Sequence, residues 1–270
     1  MAEAIQKIIS MKRPKVLVLK ADGINCDEEL VFAFNHAGGT ADLVHVNRLR
    51  TDKNLLKKYQ ILAIPGGFSY GDDVVSGKVL AVELASFFSD ALRAFTKRKD
   101  TITLGVCNGF QVLVRTGLLP FNDLGKMTAT LTDNASGHFE CRWIDVKVEA
   151  GAKGFFKSLE GMKLSYQVAH GEGRFLTSKK IFKQIENQGL IALRYVDESG
   201  KQTMDYPANP NGALHSIAGI TDKTGRIIGL MPHPERFVLR AQHPNFRRMK
   251  VEKPDGLLFF EEMINYVSRI

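Results

Sequence analysis

Apolar residues in the first half of the chain follow two alternating patterns. Short continuous apolar runs predict four strands, at Lys15–Ala21, Ala41–Asn47, Ile61–Pro65 and Thr101–Val106. Apolar residues at helical spacing lie between these runs, most clearly over Lys78–Phe95. Strands that are apolar on both faces and alternate with helices are typical of parallel sheets. The pattern therefore predicts an α/β fold with a mostly parallel central sheet and helices on both faces.

The second half of the chain is less regular. Further strands are predicted at Phe139–Val148, Leu190–Asp197, Ser216–Ile220 and Arg226–Met231. Turn signals separate several of them, which indicates an additional, partly antiparallel β region. An amphipathic helix is predicted at Leu257–Val267. Because no linker or repeat divides the chain, we expect a leader of residues 1–14 and a single domain over residues 15–270.

Composition and charge exclude several classes of protein. The chain has 270 residues, 44% of them apolar, and no apolar run approaches the roughly 18 residues of a membrane span. Its N-terminus has too little apolar character for a secretory signal, so we expect a cytoplasmic protein without membrane contact. The net charge of +8 comes mostly from scattered Lys and Arg residues without a nucleic-acid motif. We therefore expect no nucleic-acid partner, and either a solvated basic surface or a docking surface for an acidic partner.

Cys107 lies where the fourth predicted strand gives way to a helix, in the segment GVCNGFQ (105–111). A sharp strand-to-helix turn projects its central side chain outward, and flanking glycines leave room for such a backbone. The free N–H groups and the dipole of the helix N-terminus stabilise a thiolate and can bind an oxyanion. Cys107 is therefore a candidate nucleophile, and a buried structural cysteine is the alternative.

A nucleophilic cysteine needs a base, and the segment PHPER (232–236) offers one after an apolar strand. In an extended chain, residues two apart lie on the same side at about 6.6 Å, so Glu235 can orient the imidazole of His233. The alternative is a rigid proline-rich turn with a surface ion pair between Glu235 and Arg236. Ligands of parallel sheets bind at the carboxyl ends of the strands, and both Cys107 and His233 are predicted there.

Two further polar segments contain candidate site residues. In PGGFSYGDD (65–73), the N–H near Gly67 could complete an oxyanion hole with that of Asn108, or the segment is an ordinary glycine turn. It lacks the lysine of a phosphate-binding loop, so we expect no ATP site in this chain. In HGEGRF (170–175), His170 and Glu172 are too few for a metal site, and none is expected. We interpret His170, Glu172 and Arg174 as a loop at the mouth of the site or at a partner interface, or as a salt-bridged hairpin turn.

The chain as a whole resembles the class I glutamine amidotransferases, which have a flavodoxin-like fold. It most resembles their branch that serves as the glutaminase component of phosphoribosylformylglycinamidine synthase. The matching segments are GINCDEE (23–29), PGGFSYGDDV (65–74), GVCNGFQVL (105–113), AHGEGRF (169–175), DYPANPNG (205–212) and GLMPHPERF (229–237).

The resemblance implies a catalytic triad of Cys107, His233 and Glu235. It also implies that Gly67 and Asn108 donate to the oxyanion and that Gln111 helps to hold the substrate, L-glutamine. The chain itself would bind no cofactor. A synthetase partner would use ATP, Mg²⁺ and the ammonia released to make formylglycinamidine ribonucleotide. The assembly would consist of these two subunits, or of these two and a third, small one.

Two alternatives stand beside this interpretation. The same triad could serve another amidotransferase or a stand-alone hydrolase, which would need no partner. In the other alternative, the chain is a catalytically silent binding subunit. The presence of all three triad residues argues against this alternative.

Overall fold

The computed structural model describes residues 13–248 and 252–270. Most of the predicted leader, residues 1–12, lies outside the described residues. The strands are β1 (Lys15–Lys20), β2 (Thr40–His45), β3 (Ile61–Ile64), β4 (Ile102–Val106), β5 (Ala129–Thr132), β6 (Glu140–Val148), β7 (Lys163–His170), β8 (Arg174–Thr177), β9 (Ile191–Val196), β10 (Ile217–Thr221) and β11 (Ile227–Leu230). The helices are α1 (Asp27–His36), α2 (Val46–Thr51), α3 (Lys78–Phe87), α4 (Ser89–Lys97), α5 (Asn108–Arg115), α6 (Lys179–Asn187) and α7 (Asp255–Val267).

Nine strands form one sheet in the order β2-β1-β3-β4-β11-β10-β9-β6-β7. The first five of these are parallel, and the remaining four pair antiparallel. The antiparallel region therefore extends the central sheet. Strands β5 and β8 form a separate antiparallel pair. The α/β architecture predicted from the sequence is confirmed.

The core lies on both faces of the parallel strands. Every residue of β3, β4 and β11 is buried, as expected for strands covered by helices on both sides. Helix α1 packs on α7 through an edge-to-face contact of Phe34 with Phe260, at 4.9 Å between ring centroids. Helix α5 is buried from Asn108 to Val114 and lies directly after β4. It therefore holds a fixed position relative to the end of that strand.

Several local predictions from the sequence were wrong. The long helix predicted over Lys78–Phe95 is two helices, α3 and α4, which meet at Phe88. Strand β7 was not predicted, although its residues alternate regularly between buried and partly exposed, which is the two-residue period of a strand. Strands β5 and β8 and helix α6 were also missed. In the part of the chain that the structure describes, no helix is both long and apolar enough to span a bilayer.

Candidate active site

The candidate site lies at the carboxyl ends of three neighbouring parallel strands. Gly66 follows β3, Cys107 follows β4, and His233 follows β11. The backbone N–H of Cys107 donates to the carbonyl of Leu230, at 2.8 Å, which fixes the nucleophile against the end of β11. The sheet order thus brings together residues that are far apart in the sequence, as the rule for parallel sheets predicts.

Cys107 has a strained backbone conformation. Its φ of 51° and ψ of −106° lie outside the regions that residues with a side chain prefer. Two glycines make the turn possible: a Cβ atom on Gly105 would lie 2.4 Å from the carbonyl oxygen of Gly109, and one on Gly109 would lie 2.0 Å from that of Ile64. The predicted sharp turn between strand and helix is present, with Cys107 at its apex.

His233 and Glu235 form a buried pair. The Nδ1 atom of His233 lies 2.6 Å from Oε1 of Glu235, and each side chain is 1% exposed. The chain is not extended through this segment, because Pro234–Arg236 forms a short 3₁₀ turn. That turn brings the carboxylate much closer to the imidazole than an extended chain would.

The imidazole of His233 lies beside the candidate nucleophile. A Cβ atom at Gly66 would be 2.7 Å from Cε1 of His233 and 3.3 Å from Cβ of Cys107, so both side chains border the space that glycine leaves open. Burial opposes protonation of the imidazole, but the Glu235 carboxylate and the Cys107 sulfur outweigh it and hold the pKa of His233 above its usual value. This environment favours the protonated imidazole of His233 beside the candidate nucleophile.

Two backbone donors are free at the same place. In residues 13–248 and 252–270, the N–H groups of Gly67 and Asn108 donate no hydrogen bond. Asn108 is the first residue of α5, so its N–H also carries the positive end of the helix dipole. Both donors belong to segments adjoining Cys107, and they are available to an oxyanion.

The side chain of Asn108 organises the residues around the turn. Its Oδ1 accepts from the Ser69 hydroxyl at 2.7 Å, and its Nδ2 donates to Asp72 at 3.2 Å and to Gln111 at 3.0 Å. The amide of Gln111 in turn donates to the carbonyl of Glu172, at 2.5 Å. Gln111 therefore already has partners for both ends of its amide, and it connects α5 to the segment after β7.

Strand β7 covers the site. Cys107 is 5% exposed, and its thiol donates to the carbonyl of Ala169 at 3.6 Å. The N–H of His233 donates to the carbonyl of Gln167, also on β7, at 2.8 Å. A cavity of about 310 Å³ opens beside this cover. Asp72, Ser76 and Glu172 line it, together with an aromatic pair, Phe68 and Phe139.

His170, which was expected in a loop at the site mouth or partner interface, is instead the last residue of β7 and is 3% exposed. Its ring contacts Asn134 at 3.1 Å and Asn211 at 3.5 Å. The expected location is therefore wrong for His170. Glu172 and Arg174 are partly exposed: Glu172 lies 3.8 Å from Arg115, and Arg174 donates to the Gly212 carbonyl.

Neutral His170 should make the fold sensitive to acid. Burial, and to a lesser degree the nearby His233, lower the pKa of His170 from 6.5 to about 3. Above pH 6.5, His170 is neutral in the folded and the unfolded chain. As the pH falls from 6.5 toward 3, only the unfolded chain binds a proton at this residue, so the free energy of unfolding decreases. We expect His170→Gln to flatten the decline in unfolding free energy over this range by no more than about 5 kcal/mol. Urea unfolding at several pH values would measure it.

The exposed His138 provides a matched control for this measurement. The variant His138→Gln should keep the pH dependence of the wild type. An unchanged slope in His170→Gln would show that His170 is protonated equally in both states.

Cys26 and Arg236 lie beside the triad and were not identified as site residues from the sequence. Arg236 donates to Sγ of Cys26 at 3.2 Å, to Glu29 at 3.1 Å and to Gln167 at 3.3 Å. Ligand atoms of Cys26, His233 and Glu235 lie within 4.8 Å of one another, the donor types of a metal site. The 2.6 Å hydrogen bond between His233 and Glu235 leaves no room for an ion between those two atoms.

Comparison with known proteins identifies the family of the chain. Residues 13–267 match the family described as CobB/CobQ-like glutamine amidotransferase domain. A protein of Dehalococcoides mccartyi called phosphoribosylformylglycinamidine synthase subunit PurQ is 41% identical over 262 residues, covering 96% of this chain and 100% of that protein. A protein of the same name from Methanococcus maripaludis is 42% identical over 241 residues, 88% of each chain. A chain in the structure of PurLQS from Thermotoga maritima superposes with a TM-score of 0.71 at 30% identity, covering 95% of this chain and 100% of that one.

Proposed function

The chain belongs to the PurQ family of glutamine amidotransferases, and from this premise we propose that it is the glutaminase subunit of a phosphoribosylformylglycinamidine synthase. It hydrolyses glutamine and delivers ammonia to a synthetase partner in de novo purine biosynthesis. The observation that carries this proposal is the buried pairing of His233 with Glu235, at 2.6 Å, beside the strained Cys107.

The first half of the reaction forms a thioester. The Cys107 sulfur attacks the side-chain amide carbon of glutamine, and the amide oxygen becomes an oxyanion that accepts from the N–H groups of Gly67 and Asn108. The imidazolium of His233 then gives its proton to the leaving nitrogen, the C–N bond breaks, and ammonia departs. Glu235 stabilises the imidazolium and fixes its orientation throughout, which the buried hydrogen bond supports.

The second half of the reaction releases glutamate. His233, now neutral, takes a proton from water, and the hydroxide formed attacks the thioester carbon. The same two N–H groups hold the second oxyanion. The C–S bond then breaks, the glutamate carboxylate is released, and Cys107 returns to its starting state.

We assign the binding of glutamine to the 310 Å³ cavity beside the residues that follow β7. The carboxylates of Asp72 and Glu172 line that cavity and suit the α-ammonium group of the substrate. The main-chain carbonyl of Glu172 also accepts from the side-chain amide of Gln111, so the segment after β7 connects this cavity to the helix that follows Cys107. Because β7 covers Cys107, a displacement of Ala169 and the residues after it admits the substrate.

The synthetase partner supplies the rest of the chemistry. It takes formylglycinamide ribonucleotide, ATP and Mg²⁺, and this chain binds no cofactor of its own. The similarity to a chain of PurLQS from Thermotoga maritima supports an assembly with a synthetase subunit and a third, small subunit. Cys26, Cys107 and Cys141 are all free, which supports a reducing compartment, the cytoplasm.

A coupled assay tests this function. The chain is purified with its synthetase, and glutamine hydrolysis is measured with the chain alone, with the synthetase, and with the synthetase plus its other substrates, alongside formation of the amidine product. We expect slow hydrolysis by the chain alone, a strong increase in the complex, and one amidine formed for each glutamine consumed.

Other outcomes would identify the alternatives. Full hydrolysis without a partner would indicate a stand-alone hydrolase, and stimulation without amidine formation would indicate a different amidotransferase. Failure of an electrophilic glutamine analogue to modify Cys107 in the complex would leave only a silent binding subunit.

A further inference from the structure

A basic groove lies between residues 49–57 and residues 86–98, and none of the triad residues lines it. Two adjoining cavities of about 500 and 570 Å³ share Lys53, Lys57, Ala91 and Ala94, so they form one continuous groove. Phe87, which is 69% exposed, and Arg50 extend it at one end. We call the surface formed by Arg50, Lys53, Lys57, Phe87, Ala91 and Ala94 the basic groove.

The groove combines an apolar floor with an excess of positive charge, because Arg50, Lys53, Lys57 and Arg98 line it against one carboxylate, Asp90. The buried rings of Phe88 and Phe95 form part of its floor. Lys53 and Lys57 are exposed, and within the described parts of the chain neither forms an ion pair. An exposed aromatic residue next to an apolar floor is typical of a protein interface, and two free cations at the rim favour carboxylates on the partner. An acidic amphipathic helix meets both requirements.

A chain of hydrogen bonds leads from the groove toward the candidate active site. The guanidinium of Arg50 bonds Oε1 of Glu83 at 2.6 Å, and the hydroxyl of Tyr70 bonds Oε2 of the same carboxylate at 2.5 Å. Glu83 is buried, with 6% of its surface exposed. It has no role in the proposed reaction. This buried carboxylate therefore joins the rim of the groove to the loop that contains Tyr70.

The loop that contains Tyr70 is strained and touches the residue that follows the nucleophile. Tyr70 and Asp72 have φ values of 56° and 55°, a conformation that costs free energy for residues with a side chain. The neighbouring Ser69 hydroxyl binds Asn108, and so does the Asp72 carboxylate. A shift of Tyr70 would therefore move the side chain of Asn108, whose backbone N–H is the proposed oxyanion donor.

We propose that the basic groove binds an acidic amphipathic helix of the synthetase partner, and that Arg50, Glu83 and Tyr70 transmit its binding to Asn108. This inference rests on the proposed function and specifies how the partner increases glutaminase activity. The helix covers Phe87 and pairs its carboxylates with Lys53 and Lys57. When the helix contacts Arg50, the hydrogen bond between that guanidinium and Glu83 changes. Through Tyr70, this change stabilises the loop arrangement in which the N–H of Asn108 binds the oxyanion.

Charge reversal tests the docking step. We compare Lys53→Glu/Lys57→Glu with Lys179→Glu/Lys183→Glu, an equally spaced exposed pair on α6. The groove variant should hydrolyse glutamine alone at the wild-type rate but bind the synthetase at least about tenfold more weakly, and its residual binding should depend less on salt. The α6 variant should bind as the wild type does. Wild-type binding by the groove variant, or equal weakening in both variants, would overturn the proposal.

The transmission step needs a variant that still docks. Tyr70→Phe should bind the synthetase within about twofold of the wild type, because Tyr70 does not line the groove, yet it should lose most of the stimulation of glutaminase activity. Full stimulation of Tyr70→Phe would disprove the transmission. If the wild type itself is not stimulated by the synthetase, the proposed function fails instead.

A nucleic acid is the competing occupant of a basic surface. Fluorescence anisotropy with a single-stranded RNA of mixed sequence distinguishes it from a protein helix. RNA binding that is abolished by Lys53→Glu/Lys57→Glu, together with unchanged synthetase binding, would overturn the proposal.

Discussion

Replacement of Cys107 by alanine should lower the glutaminase activity of the complex by at least about 10⁴-fold. No other nucleophile in the site can take over, because the thioester requires a sulfur at the apex of the turn after β4, between the free N–H groups and the imidazole. Steady-state release of glutamate measures the loss. Amidine formation from added ammonia should continue, since that step belongs to the partner.

The other two cysteines make this experiment specific. Cys141 is exposed and lies on β6, so Cys141→Ala should retain wild-type activity. Cys26 is the other buried cysteine and borders the triad, so the double variant Cys26→Ala/Cys107→Ala should be no less active than Cys107→Ala alone. Substantial glutamine hydrolysis by Cys107→Ala, with the fold intact by circular dichroism, would exclude the thioester mechanism.

Replacement of Glu235 by glutamine should lower kcat by about 10²–10⁴-fold, because the neutral amide cannot stabilise the imidazolium and no longer fixes the ring tautomer. The carboxylate also raises the pKa of His233, so its removal lowers that pKa. The proton that His233 donates to the leaving nitrogen is then lost at lower pH. The alkaline limb of the kcat profile should therefore move toward lower pH.

Glu29→Gln is the matched control for this second experiment. Glu29 pairs with Arg236 beside the triad, but it is exposed and forms no hydrogen bond with the imidazole. Its replacement should leave the pH profile in place and change kcat by less than about threefold. A Glu235→Gln variant with an unshifted profile would show that the carboxylate has only a structural role.

The parts of the site that the sequence could predict are those governed by local rules. An apolar strand that is followed by the turn Gly-Val-Cys-Asn-Gly predicts an outward thiol. The alternation of strands and helices predicts that the carboxyl ends of the parallel strands lie at one edge of the sheet. Both rules identified Cys107 and His233, and the geometry brings them together. The pairing of Glu235 with His233 was also predicted, although the 3₁₀ turn that produces it was not.

The parts that the sequence could not predict depend on contacts between distant segments. Cys26 lies near His233 only because its N–H donates to the Gly66 carbonyl, which brings the start of α1 to the end of β3. Asn25 and Glu28 have the spacing of a capping box, but Cys26 is the N-cap residue of α1, and no side chain caps the helix there. His170 was assigned to a loop because glycines follow it, whereas the alternation of buried Leu164, Tyr166 and Val168 with polar residues marks it as part of a strand.

The central position of β11 has a consequence for synthesis on the ribosome. This strand is made near the end of the chain, yet it lies between β4 and β10. Until residue 230 has left the exit tunnel, the growing protein presents the bare edge of β4, a strand that is buried at every residue in the folded protein, to the cell. During the same interval Cys107 has no imidazole beside it, so the nascent chain is inert as a hydrolase and most vulnerable to aggregation at the same moment.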